Sequence, residues 1–207
     1  MSDARTGLVG DAYDRIADRY TEWQALIEDD ARGAWTEDLA ERLDGGARIL
    51  ELGCGAGLHE TRRLAGRFDV TAVDISAQQI ERARVNASAA TFVRADLTEL
   101  ELAPASFEAV VSLYVFNHVP RELLPVVFGR VHRWLVPGGW LLVTLGASDL
   151  AGWTGEWLGE TTYFSGHTAD VNRRLLTDAG FALERDELVT LHEPEGDVAF
   201  HWILARS

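Results

Sequence analysis

From residue 47 onward, short runs rich in β-branched and aliphatic residues alternate with segments whose apolar positions recur every three to four residues. The runs are ARILEL (47–52), FDVTAVD (68–74), ATFVRAD (90–96), FEAVVSL (107–113) and GWLLVTL (139–145), and between them lie segments such as SAQQIERARVNA and RELLPVVFGRVHRWL. Runs of the first kind predict strands and segments of the second kind predict helices. The β-α-β-α rhythm predicts an α/β, doubly wound fold: a mainly parallel sheet covered by helices on both faces, with ligands at the carboxyl ends of the strands. Upstream, Tyr13, Ile16, Ala17 and Tyr20 of DAYDRIADRYTEW fall on one helical face, which suits either a helix packed on the core or a lid. Downstream, GASDLAGWTGEWLGETTYFSGH shows no clear period and predicts an unusually long loop over 147–167. A helix in NRRLLTDAGF, stopped by Gly180, and two closing strands, FALERDELVT and VAFHWILAR, complete the pattern. No internal repeat interrupts it, so 1–207 reads as one domain.

Composition narrows the class. The 207 residues are 47% hydrophobic and 25% charged, as in an ordinary globular protein. Thirty-three acidic residues against nineteen basic ones give a formal charge of -14, which repels a polyphosphate backbone and argues against a nucleic-acid substrate. The single cysteine, Cys54, forms no intrachain disulfide, and MSDARTGLVG has no apolar h-region. No apolar run approaches the length of a membrane span. A cytoplasmic protein without membrane attachment is expected, with monomer and homodimer both open. No Cys/His/Asp cluster has metal-ligand spacing, so no metal is expected.

The stretch ELGCGAGLHE (51–60) carries three glycines directly behind the first strand. Such a turn exposes backbone N–H groups and admits a ligand without Cβ clashes, although it also occurs as plain structure. The dinucleotide fingerprint requires glycine at position 58, where Leu58 stands, so the spacing is G-x-G-x-G instead. Asp74 closes the second strand, where a carboxylate is able to accept from both ribose hydroxyls, and Asp96 closes the third; helix capping is the alternative for each.

With those residues in place the chain resembles the class I S-adenosylmethionine-dependent methyltransferases, of the small-molecule, methyltransferase domain 11/25-like type. ELGCGAG resembles the family's glycine motif, VDIS its acidic ribose motif, RADL its adenine motif and LVPGGWLLV its turn into the fifth strand. The resemblance implies a Rossmann-like seven-stranded sheet, mostly parallel, with the last strand (VAFHWILAR) inserted antiparallel between the fifth and sixth. It implies S-adenosyl-L-methionine as cofactor, with Gly53, Cys54 and Gly55 beside its methionine part and Glu51 near its amino group. Asp74 would take the ribose hydroxyls, Ile75 would pack on adenine, and Asp96 and the Leu97 N–H would meet the adenine edge. Leu113 and Tyr114 would lie near the sulfonium. Relatives with a YDxxAxxY-like segment close it over the cofactor, which implies a helical lid within 1–45 bearing Tyr13 and Tyr20.

Methyl transfer from a sulfonium needs a nucleophile held in line; positioning supplies much of the barrier reduction, and a base matters only if the nucleophile arrives protonated. In SLYVFNHVP (112–120), His118 and Tyr114 are the catalytic candidates. A histidine's near-neutral pKa suits a general base, with packing as the alternative for His118. Trp153, Trp157, Tyr163 and His167, together with Phe164, suggest an aromatic cover for a flat or apolar acceptor, unless they form the loop's own small core. The expected reaction is transfer to O or N, rather than C or S, of a small molecule. SLYVFNHVP lacks the [DN]-P-P-[YFW] signature of amino-methylating nucleic-acid enzymes. A protein or RNA acceptor, and a non-catalytic S-adenosylmethionine-binding module, remain as alternatives.

Overall fold

A computed structural model describes residues 3–27 and 30–207; positions 1, 2, 28 and 29, within the lid expected over 1–45, lie outside the described residues. The chain opens with two helices, α1 (Ala4–Gln24) and α2 (Arg32–Ala40), before strand β1 (Arg48–Leu52). It continues through α3 (Glu60–Leu64), β2 (Asp69–Asp74), α4 (Ala77–Asn86), β3 (Thr91–Arg94) and β4 (Phe107–Ser112). Short 3₁₀ turns at Phe116–His118 and Arg121–Leu123 lead into α5 (Leu124–Trp134) and β5 (Leu135–Gly146). A hairpin of β6 (Leu150–Trp157) and β7 (Glu160–Gly166) follows, then α6 (Ala169–Asp178), β8 (Ala182–Glu193) and β9 (Gly196–Arg206).

Seven strands form one sheet in the order β3-β2-β1-β4-β5-β9-β8. The first five pair in parallel, whereas β9 is antiparallel to both β5 and β8. The expected antiparallel insertion is thus present. Strand alternation splits the core into two layers. Leu50, Leu52, Val110 and Val143 face Val127, Phe128, Val131 and Trp134 of α5; Ile49, Ala109, Val111 and Leu142 face Trp35 and Leu39 of α2 and Leu64 of α3. Each fully buried side chain of the α5 stripe contributes about 1.5–3 kcal/mol relative to exposure, enough to fix that helix without help from its polar face.

Strand order reverses at β1, where β2 lies on one side and β4 on the other, so the crevice between their carboxyl ends is the place for a ligand. Helix α1 lies across that end, against α4 and β7. Gly10 permits the approach, because a Cβ there would stand 3.1 Å from the Ile75 side chain. Polar latches complete it: Asp14 accepts from the Ser76 hydroxyl at 2.5 Å and the Gln78 N–H at 3.1 Å, and Arg15 donates to Glu160 at 2.7 Å.

The segment 147–167, expected as an irregular loop, is instead the β6–β7 hairpin. Trp157 pairs with Glu160 across a two-residue turn whose residues Leu158 and Gly159 both have positive φ, 50° and 77°. That is the primed-turn geometry that suits strand twist, but Leu-Gly lacks the usual Asn-Gly signature. Glycine is also frequent in the strands for a packing reason: a Cβ on Gly155 would run into the Trp153 ring.

Candidate active site

The glycine turn is shaped by backbone that only glycine enters easily. Gly53 and Gly55 have φ of 76° and 52°, and a Cβ on Gly53 would collide with Val115, whereas the space beside Gly55 is open. Gly53→Ala should therefore cost about 2–5 kcal/mol, combining a left-handed backbone penalty of about 1–2 with overpacking of about 1–3. Thermal unfolding checks this, and Gly55→Ala, without the clash, should cost less.

Asp74 locks this turn to β2. Its Oδ2 accepts from the Gly55 N–H at 2.8 Å and its Oδ1 from the Ser76 N–H at 2.9 Å, while burial pushes its carboxyl up to about 6. Each oxygen retains a further lone pair for a ligand hydroxyl. Asp74, Ile75, Asp96, Leu97, Leu113 and Gly53 line one continuous cavity, which Tyr13 and Tyr20 of α1 cover. Asp96 binds the Thr98 N–H at 2.9 Å and the Thr6 hydroxyl of α1 at 2.6 Å, so the helix is tied to the crevice wall. A second lobe runs from Gly53 and Gly55 past Cys54 to Glu51. There burial pushes Glu51 up to about 8 and the Cys54 thiol up as well. Glu51 Oε2 is buried without a hydrogen-bond partner, an acceptor that an ammonium would satisfy.

Beyond Tyr13 and Tyr20 lies another cavity, of about 290 Å³. Tyr13, Tyr20, Tyr114 and His118 line both it and the first cavity. His118 is held from two sides, with Nδ1 2.9 Å from the Tyr163 carbonyl and Nε2 2.9 Å from the Tyr13 hydroxyl. The carbonyl only accepts, so Nδ1 carries the proton and the neutral ring's Nε2 accepts from Tyr13. Burial drives the ring down to about 4, which revises the near-neutral value expected for a base.

Tyr114 has a φ of 60°, a conformation costing an aromatic residue about 1–3 kcal/mol. Its N–H donates to Thr144 Oγ1 at 2.5 Å, and its ring stands edge-on to Phe200 and Trp202. The hydroxyl donates to Asp30 at 3.3 Å while the Arg32 guanidinium covers the ring at 4.9 Å. The ring is therefore a wall of both cavities, and its hydroxyl is already engaged away from proton chemistry.

Among the four aromatic or histidine positions expected to cover an acceptor, Trp153 and Trp157 line the second cavity, as does Phe164. Tyr163 and His167 do not. Tyr163 is buried at 3% exposure and serves through its carbonyl, because the alternation of β7 turns its side chain away from the face carrying Phe164. His167 lies past the end of β7, beside Arg121 and Asp149. Residues that periodicity did not single out are Trp23, whose ring meets Trp157 at 5.3 Å, and Glu193 and Glu195 at the β8–β9 turn. Only the tertiary approach of α1 and that hairpin brings them together.

Residues 49–139 match the family model of a methyltransferase domain. Over this window the chain is similar to the S-adenosylmethionine-dependent methyltransferases. It is 32% identical over 141 residues to a malonyl-[acyl-carrier protein] O-methyltransferase of Enterobacter lignolyticus, an alignment that takes in 68% of this chain and 54% of that enzyme. The chain thus spans about half the length of that curated relative, and less of the next, 36%. Its fold is shared with the magnesium protoporphyrin IX methyltransferase of Synechocystis (TM-score 0.73, 17% identity, 98% of this chain and 99% of that one). It is shared equally with the [4+2]-cyclase SpnF (TM-score 0.73, 20% identity, 96% and 94%).

The matched window carries β1 through the entry to β5, and with it Glu51, the glycine turn, Asp74 and Asp96. The family's cofactor fits this crevice on the chain's own evidence: an orphaned acid at one end, glycines opening space in the middle, and a carboxylate with spare lone pairs beyond. Tyr13, Tyr20, Trp23, Trp157, Phe164 and Glu193, which line the second cavity, all lie outside the window. Among the described residues no group of three or more His, Cys, Asp or Glu is arranged to hold a metal, and no helix is long and apolar enough to cross a membrane.

Proposed function

We propose that the protein transfers the methyl group of S-adenosylmethionine to an oxygen or nitrogen of a small molecule seated in the aromatic cavity. When bound, the cofactor supplies an electrophilic methyl on a sulfonium. The observation that carries this reading is the shared wall: Tyr13, Tyr20, Tyr114 and His118 face both cavities, so a donor on one side and an acceptor on the other meet there. Gly53, Cys54 and Gly55 hold the methionine part, Asp74 the ribose, and Ile75, Asp96 and Leu97 the adenine, while α1 is the lid. Its latches exclude water from the reacting atoms, and the narrow cavity aligns the acceptor. The size of that cavity and the net charge of -14 favour a small molecule over an RNA or protein acceptor.

Incubating the protein with methyl-labelled S-adenosylmethionine and a panel of small hydroxyl, carboxyl and amine compounds tests this. Labelled product is expected; cofactor binding without transfer to any member would leave a non-catalytic module or, given the shared fold of SpnF, a different reaction.

Glu51 gives a separate test of cofactor orientation. Its pKa near 8 in the free protein lies above the unfolded value. Its favourable contribution to stability is therefore fully present below the unfolded pKa and is lost as pH rises through 8. An ammonium beside it restores the charged form, so cofactor binding at pH 7 should release about one proton. Titration calorimetry in buffers of different ionisation enthalpy reads that proton, and Glu51→Gln should abolish its release. An unchanged release in the variant would place the ammonium elsewhere.

A further inference from the structure

We propose that the second cavity selects a small molecule carrying a cationic nitrogen on an aromatic or apolar body, with the nitrogen held by Glu193, which lines the second cavity and not the cofactor crevice. The inference rests on the methyl-transfer reading and adds the substrate class. Its first support is the wall itself. Tyr20, Trp23 and Trp157 converge there, with Trp23 and Trp157 at 5.3 Å and Tyr20 and Trp157 at 5.9 Å between ring centroids. Aromatic faces attract cations, by about 0.5–2 kcal/mol each when partly desolvated.

The polar groups on this wall point the same way. Glu193 lies at the end of β8, and neighbouring Glu195 accepts from the Trp23 indole N–H at 2.9 Å. Asn117 Oδ1, on the same cavity, is buried with no hydrogen-bond partner. A ligand bearing N–H donors satisfies these groups; a carboxylate ligand would meet two negative charges and a lone pair. The one guanidinium on the wall, Arg32, is engaged by Asp30 at 2.6 Å and Glu60 at 3.9 Å and by the face of Tyr114. Its charge is therefore taken up by the protein itself.

Position supplies the third argument. Glu193, Glu195 and the two tryptophans line the second cavity but not the cofactor crevice, whereas Tyr13 and His118 line both. The cation is then a handle and the atom that receives the methyl is a different one, at the Tyr13–His118 end. Burial and the like charge of Glu195 push Glu193 up to about 7, a cost that a bound cation removes. Among the described residues, the titratable and charged groups that share this cavity wall with Glu193 are Glu195 from its own hairpin, Tyr13 and Tyr20 from α1, Arg32 from α2, Tyr114 after β4 and His118 from the 3₁₀ turn, and of these Glu195, Tyr13 and Tyr20 interact with it electrostatically.

The experiment compares tryptamine and phenethylamine with their neutral alcohol counterparts, tryptophol and phenethyl alcohol, and with 3-indolepropionate. Each is titrated into the protein saturated with S-adenosylhomocysteine at pH 8. The amines are expected to bind at least about tenfold more tightly than the alcohols, and the carboxylate most weakly. Glu193→Gln should shrink the amine preference to about threefold or less, with the affinity for S-adenosylhomocysteine unchanged and the unfolding midpoint no lower. Amines and alcohols binding alike, neither binding, or a preference that survives in Glu193→Gln overturns the cation assignment while leaving methyl transfer standing. Failure to bind S-adenosylhomocysteine at all would instead overturn the methyl-transfer reading, and this proposal with it.

Discussion

Asp74→Ala is expected to weaken S-adenosylmethionine binding by about 100- to 1000-fold. The carboxylate is buried at the topological switch point, and two ribose hydroxyls donating to it would each contribute about 1.5–3 kcal/mol as charge-assisted bonds. About 3–4 kcal/mol lost corresponds to that range, at 1.4 kcal/mol per factor of ten. The alanine also strips the Gly55 and Ser76 N–H groups of their acceptor, so the glycine turn loses its anchor at the same time. Asp74→Asn separates the two effects, since an amide oxygen still serves one N–H while the amide nitrogen no longer accepts. It should keep most of the stability and still lose most of the affinity. Because the carboxyl of the free protein sits near 6 and hydroxyl donors favour its ionised form, Asp74 should add a rise of affinity with pH through 6 to the rise toward 8 expected from Glu51, and in a Glu51→Gln background the Asp74 part should vanish in both variants. Calorimetry at pH 5 and pH 8 reads all of these; affinity unchanged in Asp74→Ala would remove the ribose assignment.

How far the sequence reaches is clear from where pattern and packing part company. β1 through β5 and α4 and α5 each announce themselves by period, because a strand buried on both faces or a helix with one apolar stripe writes that geometry into consecutive residues. The cofactor crevice is equally local: Glu51, Gly53, Asp74 and Asp96 all sit at the carboxyl ends of successive strands, so finding the strands places them. The second cavity is not local. Trp23 and Glu195 are joined by one hydrogen bond across more than 170 positions, and no short-range period encodes such a meeting. The β6–β7 hairpin was hidden for another reason. Its turn is Leu-Gly and its strands are interrupted by Gly152 and Gly155, the first with a φ of 158° and close to the Tyr163 ring, the second covered by Trp153. Glycine there serves ring packing, but in a sequence it reads as loop. The positions of Tyr163 and His167 relative to the cavity depend on it, since the side-chain alternation that turns Tyr163 inward exists only once the strand is recognised.

The coupling of Tyr13 and His118 sets the second large effect. Nδ1 of His118 is committed to the Tyr163 carbonyl, so Nε2 is its only accepting atom, and the Tyr13 hydroxyl sits on it at 2.9 Å. In the proposed reaction, a proton leaving the acceptor would reach the ring through Tyr13: the phenolic oxygen would take it as the phenolic proton passes to Nε2. With the ring near 4 in the closed protein, this path contributes at the lower end for general-base help, about 100-fold. Tyr13→Phe and His118→Leu should each lower turnover by about that factor, with cofactor affinity changing less than about threefold in Tyr13→Phe, which keeps the ring. His118→Leu should also lose about 1–3 kcal/mol of stability, because a buried hydroxyl is left without its acceptor. The double variant Tyr13→Phe/His118→Leu removes both partners, so it should regain stability over His118→Leu and be no slower than either single variant. Wild-type turnover should show no loss assignable to His118 until pH falls toward 4, in contrast to the profile of a near-neutral histidine. Additive losses in the double variant would mean that the two residues act separately, and a wild-type break near pH 6.5 that disappears in His118→Leu would mean that the ring opens to solvent during turnover.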